Sequence, residues 1–359
     1  MYKFASENTG NYTSPTGFYG ILLQEDEQYL IHQRYGRTYT FAVPERGGRI
    51  EGIEDRNQNT IQFSYSANGI VIVDTLKRTI AVSVNNGLLQ ELNDPAGRTW
   101  KYTYDKDDRL IEVHQPTTAD FPNGTSVKYA YDSDHRLISI TDAKDQKYLV
   151  NSYDESGKVV AQEHGSGVFK MDYDAIGEVE TGFPIYRTTC IRKNGSKLVL
   201  EHNGVGNVLS RTLYVRKESF APEDTAGISG NDVPLITKSA YNKNSELTSR
   251  IFPAGNKTEW VYSENEKNPL NQGNLLQITE IPQTGVESDQ TTIVTQYEYE
   301  PTFQLTTKLI DPRGNKTSYE YDKKGNLIVT THPSVTIQPV SSGIPRPAPV
   351  KEPLQKSAI

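Results

Sequence analysis

Residues 311–331 read Asp-Pro-Arg-Gly-Asn-Lys-Thr-Ser-Tyr-Glu-Tyr-Asp-Lys-Lys-Gly-Asn-Leu-Ile-Val-Thr-Thr, which predicts two turns and two strands. Asp311-Pro-Arg-Gly314 places Asp, Pro and Gly where a type I turn favours them. From Thr317 to Tyr321, larger residues alternate with polar ones, which predicts a strand with one drier face. Asp322-Lys-Lys-Gly325 predicts a second turn with a left-handed glycine, and Leu327–Thr331 predicts the returning strand. The unit is a β-hairpin with a turn on each side.

Degenerate copies of this unit recur through most of the chain with a basic period of about twenty residues. The tyrosine before the second turn, or the residue that replaces it, marks each copy. These marker positions are Tyr65, Val84, Tyr104, Tyr131, Tyr153, Tyr173, Leu200, Tyr241, Tyr262, Tyr299 and Tyr321. A short apolar pair, such as Leu327-Ile328, follows most of the turns. One hairpin cannot bury its own face, so stacked neighbours are expected to form a continuous ribbon.

Composition agrees with a thin β structure. Only 35% of the 359 residues are hydrophobic, whereas Tyr is unusually common, with 22 residues against 10 Phe and 2 Trp. The balance of 38 Lys and Arg against 45 Asp and Glu gives a net charge of −7, which offers no electrostatic footprint for nucleic acid or anionic lipid. No apolar run is long enough to cross a bilayer, and residues 1–8 are not typical of a signal peptide. The sequence therefore predicts neither nucleic-acid binding nor membrane insertion.

Several copies carry a family resemblance. Segments such as Tyr104-Asp-Lys-Asp-Asp-Arg-Leu-Ile, Tyr131-Asp-Ser-Asp-His-Arg-Leu-Ile and Tyr153-Asp-Glu-Ser-Gly-Lys-Val-Val resemble Rhs repeats, also called YD repeats. The resemblance covers roughly residues 50–333. It implies a strand spiral that forms the wall of a hollow shell. Rhs effectors and Tc toxin C components enclose a toxic domain in such a shell, whereas teneurins and wall-associated proteins use related shells for adhesion or display.

The predicted fold class is all-β, a repetitive antiparallel hairpin ribbon that curls into a spiral or open shell. Residues 1–50 are expected to form a β-rich lead-in that caps one end, with three strands of its own. Residues 51–333 are expected to form the repeat spiral, with insertions near 217–232 and 266–290. Residues 334–359 are expected to be a proline-rich disordered tail that is too short for a toxin domain.

The residues expected to define the repeat are structural. They are Tyr104, Asp105, Tyr131, Asp132, Tyr153, Asp154, Tyr173, Asp174, Asp311, Gly314, Tyr321, Asp322 and Gly325. Catalytic, cofactor-binding and metal-binding residues are not expected, since no recognised catalytic or metal-ligand motif is present. Asp-rich segments such as Asp105–Asp108 could suggest calcium, but Asp also begins turns by bonding its own backbone, and this second explanation is favoured. Cys190 is expected to be a small apolar residue rather than a nucleophile.

The functional prediction is a structural shell segment, not an enzyme, that encloses or displays a polypeptide such as a toxin or effector. Its expected partners are that polypeptide or a second shell chain, with surface glycans as a further possibility. It would be secreted or reach the cell surface by a specialised export route. The alternative is a cell-surface adhesion or carbohydrate-binding module, in which rows of tyrosine form a stacking platform. The explanation preferred for those rows is that they pack from repeat to repeat.

Overall fold

The computed structural model describes residues 4–8, 11–178, 184–219, 230–264, 266–283, 291–334 and 356–358. These residues form antiparallel strands joined by turns, together with short 3-10 turns at Arg34–Gly36, Pro44–Arg46, Lys217–Ser219 and Pro269–Asn271. The predicted all-β fold of repeated antiparallel hairpins is confirmed. Among the described residues, no helix is both long and apolar enough to span a membrane.

The strands fall into two units. A central unit comprises residues 61–240, and a terminal unit combines residues 1–60 with residues 241–359. The first part of the terminal unit contains β1 (Ala5–Asn8), β2 (Asn11–Thr13), β3 (Gly20–Glu25), β4 (Gln28–Gln33), β5 (Arg37–Ala42) and β6 (Ile50–Glu54).

The central unit is a meander in which each strand pairs with the next along the chain. Its strands are β7 (Thr60–Ser66), β8 (Gly69–Asp74), β9 (Thr79–Asn85), β10 (Leu88–Asn93), β11 (Thr99–Tyr104), β12 (Leu110–Gln115), β13 (Thr125–Tyr131), β14 (Leu137–Thr141), β15 (Lys147–Tyr153), β16 (Val159–His164), β17 (Gly167–Glu178), β18 (Pro184–Ile191), β19 (Lys197–Asn203), β20 (Val208–Arg216) and β21 (Asp232–Tyr241). The neighbouring strands are all antiparallel. Turns therefore alternate between the two ends of the strands.

The second part of the terminal unit repeats this pattern. It contains β22 (Leu247–Ile251), β23 (Lys257–Tyr262), β24 (Leu275–Ile281), β25 (Ile293–Tyr299), β26 (Thr306–Ile310), β27 (Lys316–Tyr321), β28 (Leu327–Thr331) and β29 (Lys356–Ala358). Each of these strands pairs with the next. The three strands predicted in the first fifty residues correspond to β3, β4 and β5. Their role as an end cap stays a prediction, as do the other segment boundaries.

The core of each unit is thin. In the central unit, Tyr129, Ile140 and Leu149 lie opposite one another on adjacent strands, so they share one side of the sheet. We call this side the tyrosine face. None of the three is fully buried. In the whole described part of the chain, the buried hydrophobic residues are Ala42, Val43 and Val233. The apolar side chains thus pack along the sheet and stay half-exposed.

Arg34 joins the two parts of the terminal unit. This residue lies in the turn between β4 and β5, and its guanidinium donates hydrogen bonds into the segment before β24. The acceptors are the carbonyl oxygens of Leu270 at 3.3 Å, Gln272 at 2.8 Å and Gly273 at 3.4 Å, and Oδ1 of Asn274 at 3.1 Å. A planar guanidinium can serve several such acceptors at fixed angles, whereas an ammonium cannot.

Aromatic and amide side chains surround this contact. The guanidinium of Arg34 lies 4.9 Å from the centre of the Tyr19 ring. Burial raises the pKa of the Tyr19 phenol, and Glu246 raises it further. Gln304 is only 2% exposed. Its Nε2 donates to Oδ1 of Asn271, and its Oε1 accepts from Asn274, at 2.7 and 2.8 Å. Residues 270–274, part of the predicted insertion near 266–290, therefore supply the docking surface for the first part of the chain.

Replacing Arg34 with Lys should destabilise the terminal unit by roughly 1.5–3 kcal/mol, because hydrogen bonds from a charged donor are lost at half-buried carbonyls. Each unit contains one tryptophan, Trp100 in the central unit and Trp260 in the terminal unit. Urea unfolding followed by Trp260 fluorescence in a Trp100→Phe background would report the terminal unit alone. Arg37→Lys is the matched control, since Arg37 is exposed and, among the described residues, its side chain bonds only to Tyr39, at 3.4 Å. Equal unfolding midpoints for the two variants would contradict the role of Arg34.

Candidate functional site: the tyrosine and aspartate turns

The turn at Asp132 shows how an aspartate organises each hairpin end. Its Oδ1 accepts hydrogen bonds from the backbone N–H groups of Asp134 and Arg136, both at 2.9 Å. Its own N–H donates to the carbonyl of Arg136, and its carbonyl accepts from the N–H of His135. His135 has a positive φ of 63°. The carboxylate thus satisfies backbone donors that the turn would otherwise leave to solvent.

The same arrangement recurs at both ends of the strands. At the end that carries the marker tyrosines, an Asp or Asn begins the turn at Asp105, Asp132, Asp154, Asn203, Asn242 and Asp322. At the opposite end the corresponding residues are Asp55, Asp74, Asp94, Asp142 and Asp311. Gly314 and Gly325 hold the positive φ position in their turns, at 80° and 78°. The Asp-rich segments therefore carry turn geometry.

Several marker tyrosines link their own hairpin to the one before it. The hydroxyl of Tyr131 donates to the carbonyl of Leu110 at 2.9 Å. Leu110 begins the returning strand of the previous hairpin, where it lies opposite Tyr104. Equivalent bonds, at 2.6–2.8 Å, run from Tyr153 to Leu137, Tyr173 to Val159, Tyr299 to Leu275 and Tyr321 to Thr306. Burial raises the pKa of Tyr131, so the phenol stays a hydrogen-bond donor.

Arginines that follow the turns add a second link, which the sequence reasoning missed. Arg109 Nε donates to Oδ2 of Asp105 at 2.7 Å, within its own turn. Its Nη1 donates to the carbonyl of Asp132 at 3.0 Å, in the next turn along. The guanidinium also lies 5.5 Å from the centre of the Tyr131 ring. The Asp-x-x-x-Arg spacing was the signal for this contact, because it places the arginine directly after the turn.

The apolar pair after each turn has a structural cause. Ala130 lies opposite Ser139 and Tyr131 lies opposite Leu137, so Ile138 is the additional residue of a β-bulge. Bulges at the marker residue also occur in the hairpins of Tyr104, Tyr153, Tyr262, Tyr299 and Tyr321. The first residue of the pair faces the tyrosine across the ladder, and the second is the bulged residue.

Two predicted positions need correction. Asp174 does not begin a turn, since β17 continues to Glu178 and Asp174 lies opposite Arg187 inside the ladder. Its neighbour Tyr173 still makes the tyrosine contact. The marker assigned to Leu200 belongs instead to His202, which lies at the bulge directly before the Asn203 turn. Leu200 fits the apolar alternation of the strand, but the position of the turn determines which residue is the marker.

The structure does not bring the described candidate metal ligands together. Within the described ranges, no group of three or more His, Cys, Asp or Glu side chains could hold a metal ion. Cys190 is partly exposed and lies opposite Met171 and Leu198 in the ladder.

A family model for the RHS repeat matches residues 85–120, 114–147 and 304–334. These segments are similar to RHS repeats. They include the turns at Asp94, Asp105, Asp132, Asp311 and Asp322, so the matched RHS repeats coincide with the hydrogen-bonded turn geometry. No curated protein matches the chain.

Solved structures give weaker similarities. A crystal structure of TcdB2-TccC3-Cdc42 matches with 12% identity and a TM-score of 0.30, over 93% of this chain and 21% of that chain. A Photorhabdus luminescens Tc holotoxin pore with a mutated TccC3 matches with 13% identity and a TM-score of 0.27, over 86% of this chain and 23% of that chain. The chain thus spans about a fifth of their length.

Replacing Tyr131 with Phe should destabilise the central unit by roughly 0.5–1.5 kcal/mol, because the half-buried carbonyl of Leu110 loses its donor. Tyr129→Phe is the matched control, since Tyr129 lies on the same strand and its hydroxyl makes no hydrogen bond within the described part of the chain. Urea unfolding followed by Trp100 fluorescence in a Trp260→Phe background measures both. A Tyr131 variant as stable as the Tyr129 variant would show that the hydroxyl contact is dispensable.

The repeats should lose stability in acid. Hydrogen bonds from the residue four positions later are the main cause of a lowered pKa at Asp55, Asp74, Asp94, Asp132, Asp154, Asp311 and Asp322. A lowered folded-state pKa gives stability that is complete above the unfolded value of about 4 and is lost as the pH falls through the folded value.

Urea midpoints measured between neutral pH and the acid limit should therefore fall below about pH 4. Asp132→Asn keeps an Oδ1 acceptor but cannot titrate, as Asn203 and Asn242 show in their own turns. As the pH decreases, the urea midpoint of the Asp132→Asn variant should fall less than that of the wild type. Asp132→Ala should be less stable than the wild type at every pH. A wild-type urea midpoint that stays constant down to the acid limit would show that protonation of these carboxylates does not destabilise the repeats.

Proposed function

We propose that this chain is a structural segment of a shell wall that encloses or displays a polypeptide, such as a toxin or effector. The observation that carries the proposal is the half-exposed tyrosine face. An ordinary domain buries its large apolar side chains under a second layer, whereas none of Tyr129, Ile140 and Leu149 is fully buried in the described part of the central unit. A wall with an open apolar face can contact a client along its length without a single tight interface.

The RHS repeats support this role, because the contacts described above are all used to build the sheet. The tyrosine hydroxyls bond to backbone carbonyls, and the aspartates bond to backbone amides. We therefore propose that the chain acts by containment and not by catalysis. It would be secreted or displayed at the cell surface through a specialised export route, with the client or a second shell chain as its partner.

Co-expression with the polypeptide encoded downstream tests containment. The expected result is a complex seen by light scattering, in which the client resists a protease that digests it when free. Leu149→Lys should reduce the protected fraction several-fold, because it places a charge on the tyrosine face. Val150→Lys is the matched control, since Val150 is equally half-buried and points to the opposite face.

Unfolding curves for both variants must first show that each is folded. If the client loses its protease resistance with the Leu149 variant but keeps it with the Val150 variant, the wall proposal is supported. Equal protection in both variants, or a client that is digested as fast with the chain as without it, would overturn the proposal.

A further inference from the structure

The last repeat hairpin ends in a strand whose outer edge is occupied by a segment from much later in the sequence. Strand β28 pairs on one side with β27 and on the other with β29. β28 reads Leu-Ile-Val-Thr-Thr, without a charged residue or a proline. The unpaired backbone groups of such an edge would pair with other chains, so proteins commonly cover it. β29 takes that place, although residues 332–355 separate it from β28.

The register of β29 is that of the next repeat strand. At five boundaries between hairpins, a marker tyrosine bonds to a carbonyl of the preceding hairpin. At each of them, the residue three positions before the tyrosine lies opposite the residue two positions after that carbonyl. The pairs are Lys128 with Glu112, Val150 with Ser139, Lys170 with Ala161, Gln296 with Gln277 and Ser318 with Lys308. Ala358 lies opposite Val329, two positions after Leu327, so β29 follows the same rule.

Leu327 is the position at which the tyrosine bond is missing. It begins β28 and lies opposite Tyr321, just as Leu110 begins β12 and lies opposite Tyr104. Among the described residues, no tyrosine hydroxyl donates to the carbonyl of Leu327. Ala358, the last residue of β29, lies three positions before the place where the other strands carry their tyrosine. β29 therefore pairs with the edge through the backbone ladder and lacks the bond that links the other hairpins.

A strand attached in this way resists dilute competitors but yields to one that makes an additional contact. Attachment to the same chain gives β29 an effective concentration of roughly millimolar order. The cost of closing the intervening loop rises only slowly with its length. A separate strand at micromolar concentration cannot compete through ladder bonds alone. A strand that also carries the tyrosine gains one hydrogen bond, to a carbonyl that β29 leaves without this donor.

We propose that β29 is a displaceable cap on a strand-acceptor site, and that this site takes an extended strand of another polypeptide whose tyrosine reaches the carbonyl of Leu327. The ligand runs antiparallel to β28 and carries its tyrosine three positions after the residue opposite Val329. β27 shows the required pattern within this chain, since Ser318 lies opposite Lys308 and Tyr321 bonds to Thr306. The site goes beyond the wall proposal, because it depends on the repeat geometry alone and needs no enclosed client.

Hydrogen exchange of the full chain tests the cap. Ser357→Pro combined with Ala358→Pro should speed exchange of the β28 amides that face β29 by about tenfold, because neighbouring residues alternate in facing β28 and proline removes the donor of whichever one does. Ser357→Thr is the matched control and should exchange as the wild type does, since it keeps the backbone N–H and is favourable in a strand. Strand β23 is the internal reference and should keep its wild-type rate in both variants.

A peptide that copies residues 314–322 tests the acceptor site, because it carries the sequence of β27. Excess peptide should restore protection of β28 in the double-proline variant. The same peptide with Tyr321→Phe should need roughly fivefold more for half-protection, the effect of one hydrogen bond. In the wild type, millimolar peptide should displace β29 and speed exchange of Lys356–Ala358. This last measurement tests displacement without any substitution in the chain.

Several results would overturn the proposal. One is wild-type exchange of β28 in the double-proline variant, and another is a β28 edge that neither peptide protects. Equal half-protection concentrations for the tyrosine and phenylalanine peptides would remove the tyrosine from the recognition rule. A double-proline variant that regains protection without peptide, while light scattering shows a dimer, would assign the edge to a second copy of the chain instead.

Discussion

The bond from a tyrosine hydroxyl to a carbonyl of the preceding hairpin is the contact on which the rest of the sheet depends. The backbone ladder between adjacent hairpins ends before the marker tyrosine; between β12 and β13 it stops at Glu112 opposite Lys128, so it does not extend to the position of the hairpin ends. A phenol that reaches the carbonyl of the residue opposite the previous tyrosine fixes that position. The bulge, the aspartate turn and the following arginine all meet at the same place. This concentration explains why a chain with so few buried hydrophobic residues can still form an ordered sheet.

Much of this could be predicted from the sequence because its causes are local. The turn residues, the tyrosine alternation and the apolar pair lie within about twenty residues of one another, and each has a short-range physical meaning. The phase of the repeat was harder to predict. Leu200 satisfies the strand pattern better than His202, yet the backbone hydrogen bonds of Asn203 decide which residue precedes the turn.

The contacts of Arg34 could not be predicted from local pattern. Its acceptors lie 236 to 240 residues further along the chain, and most of them are backbone carbonyls, which any residue carries. Likewise, nothing in the segment around Asn268 marks it as a docking surface, since its Pro and Gly residues are equally typical of a loop.

The placement of residues 1–60 in the same unit as residues 241–359 bears on the order in which the protein is made. A ribosome releases the first strands long before the segment that Arg34 contacts exists. The central unit, whose strands all pair with their neighbours in sequence, can form meanwhile, because local pairing has a low loop-closure cost. Until then the Arg34 guanidinium lacks the acceptors that residues 270–274 supply, and incompletely assembled strands of this kind are prone to aggregation or chaperone binding. Synthesis of the last third of the chain ends that vulnerable period.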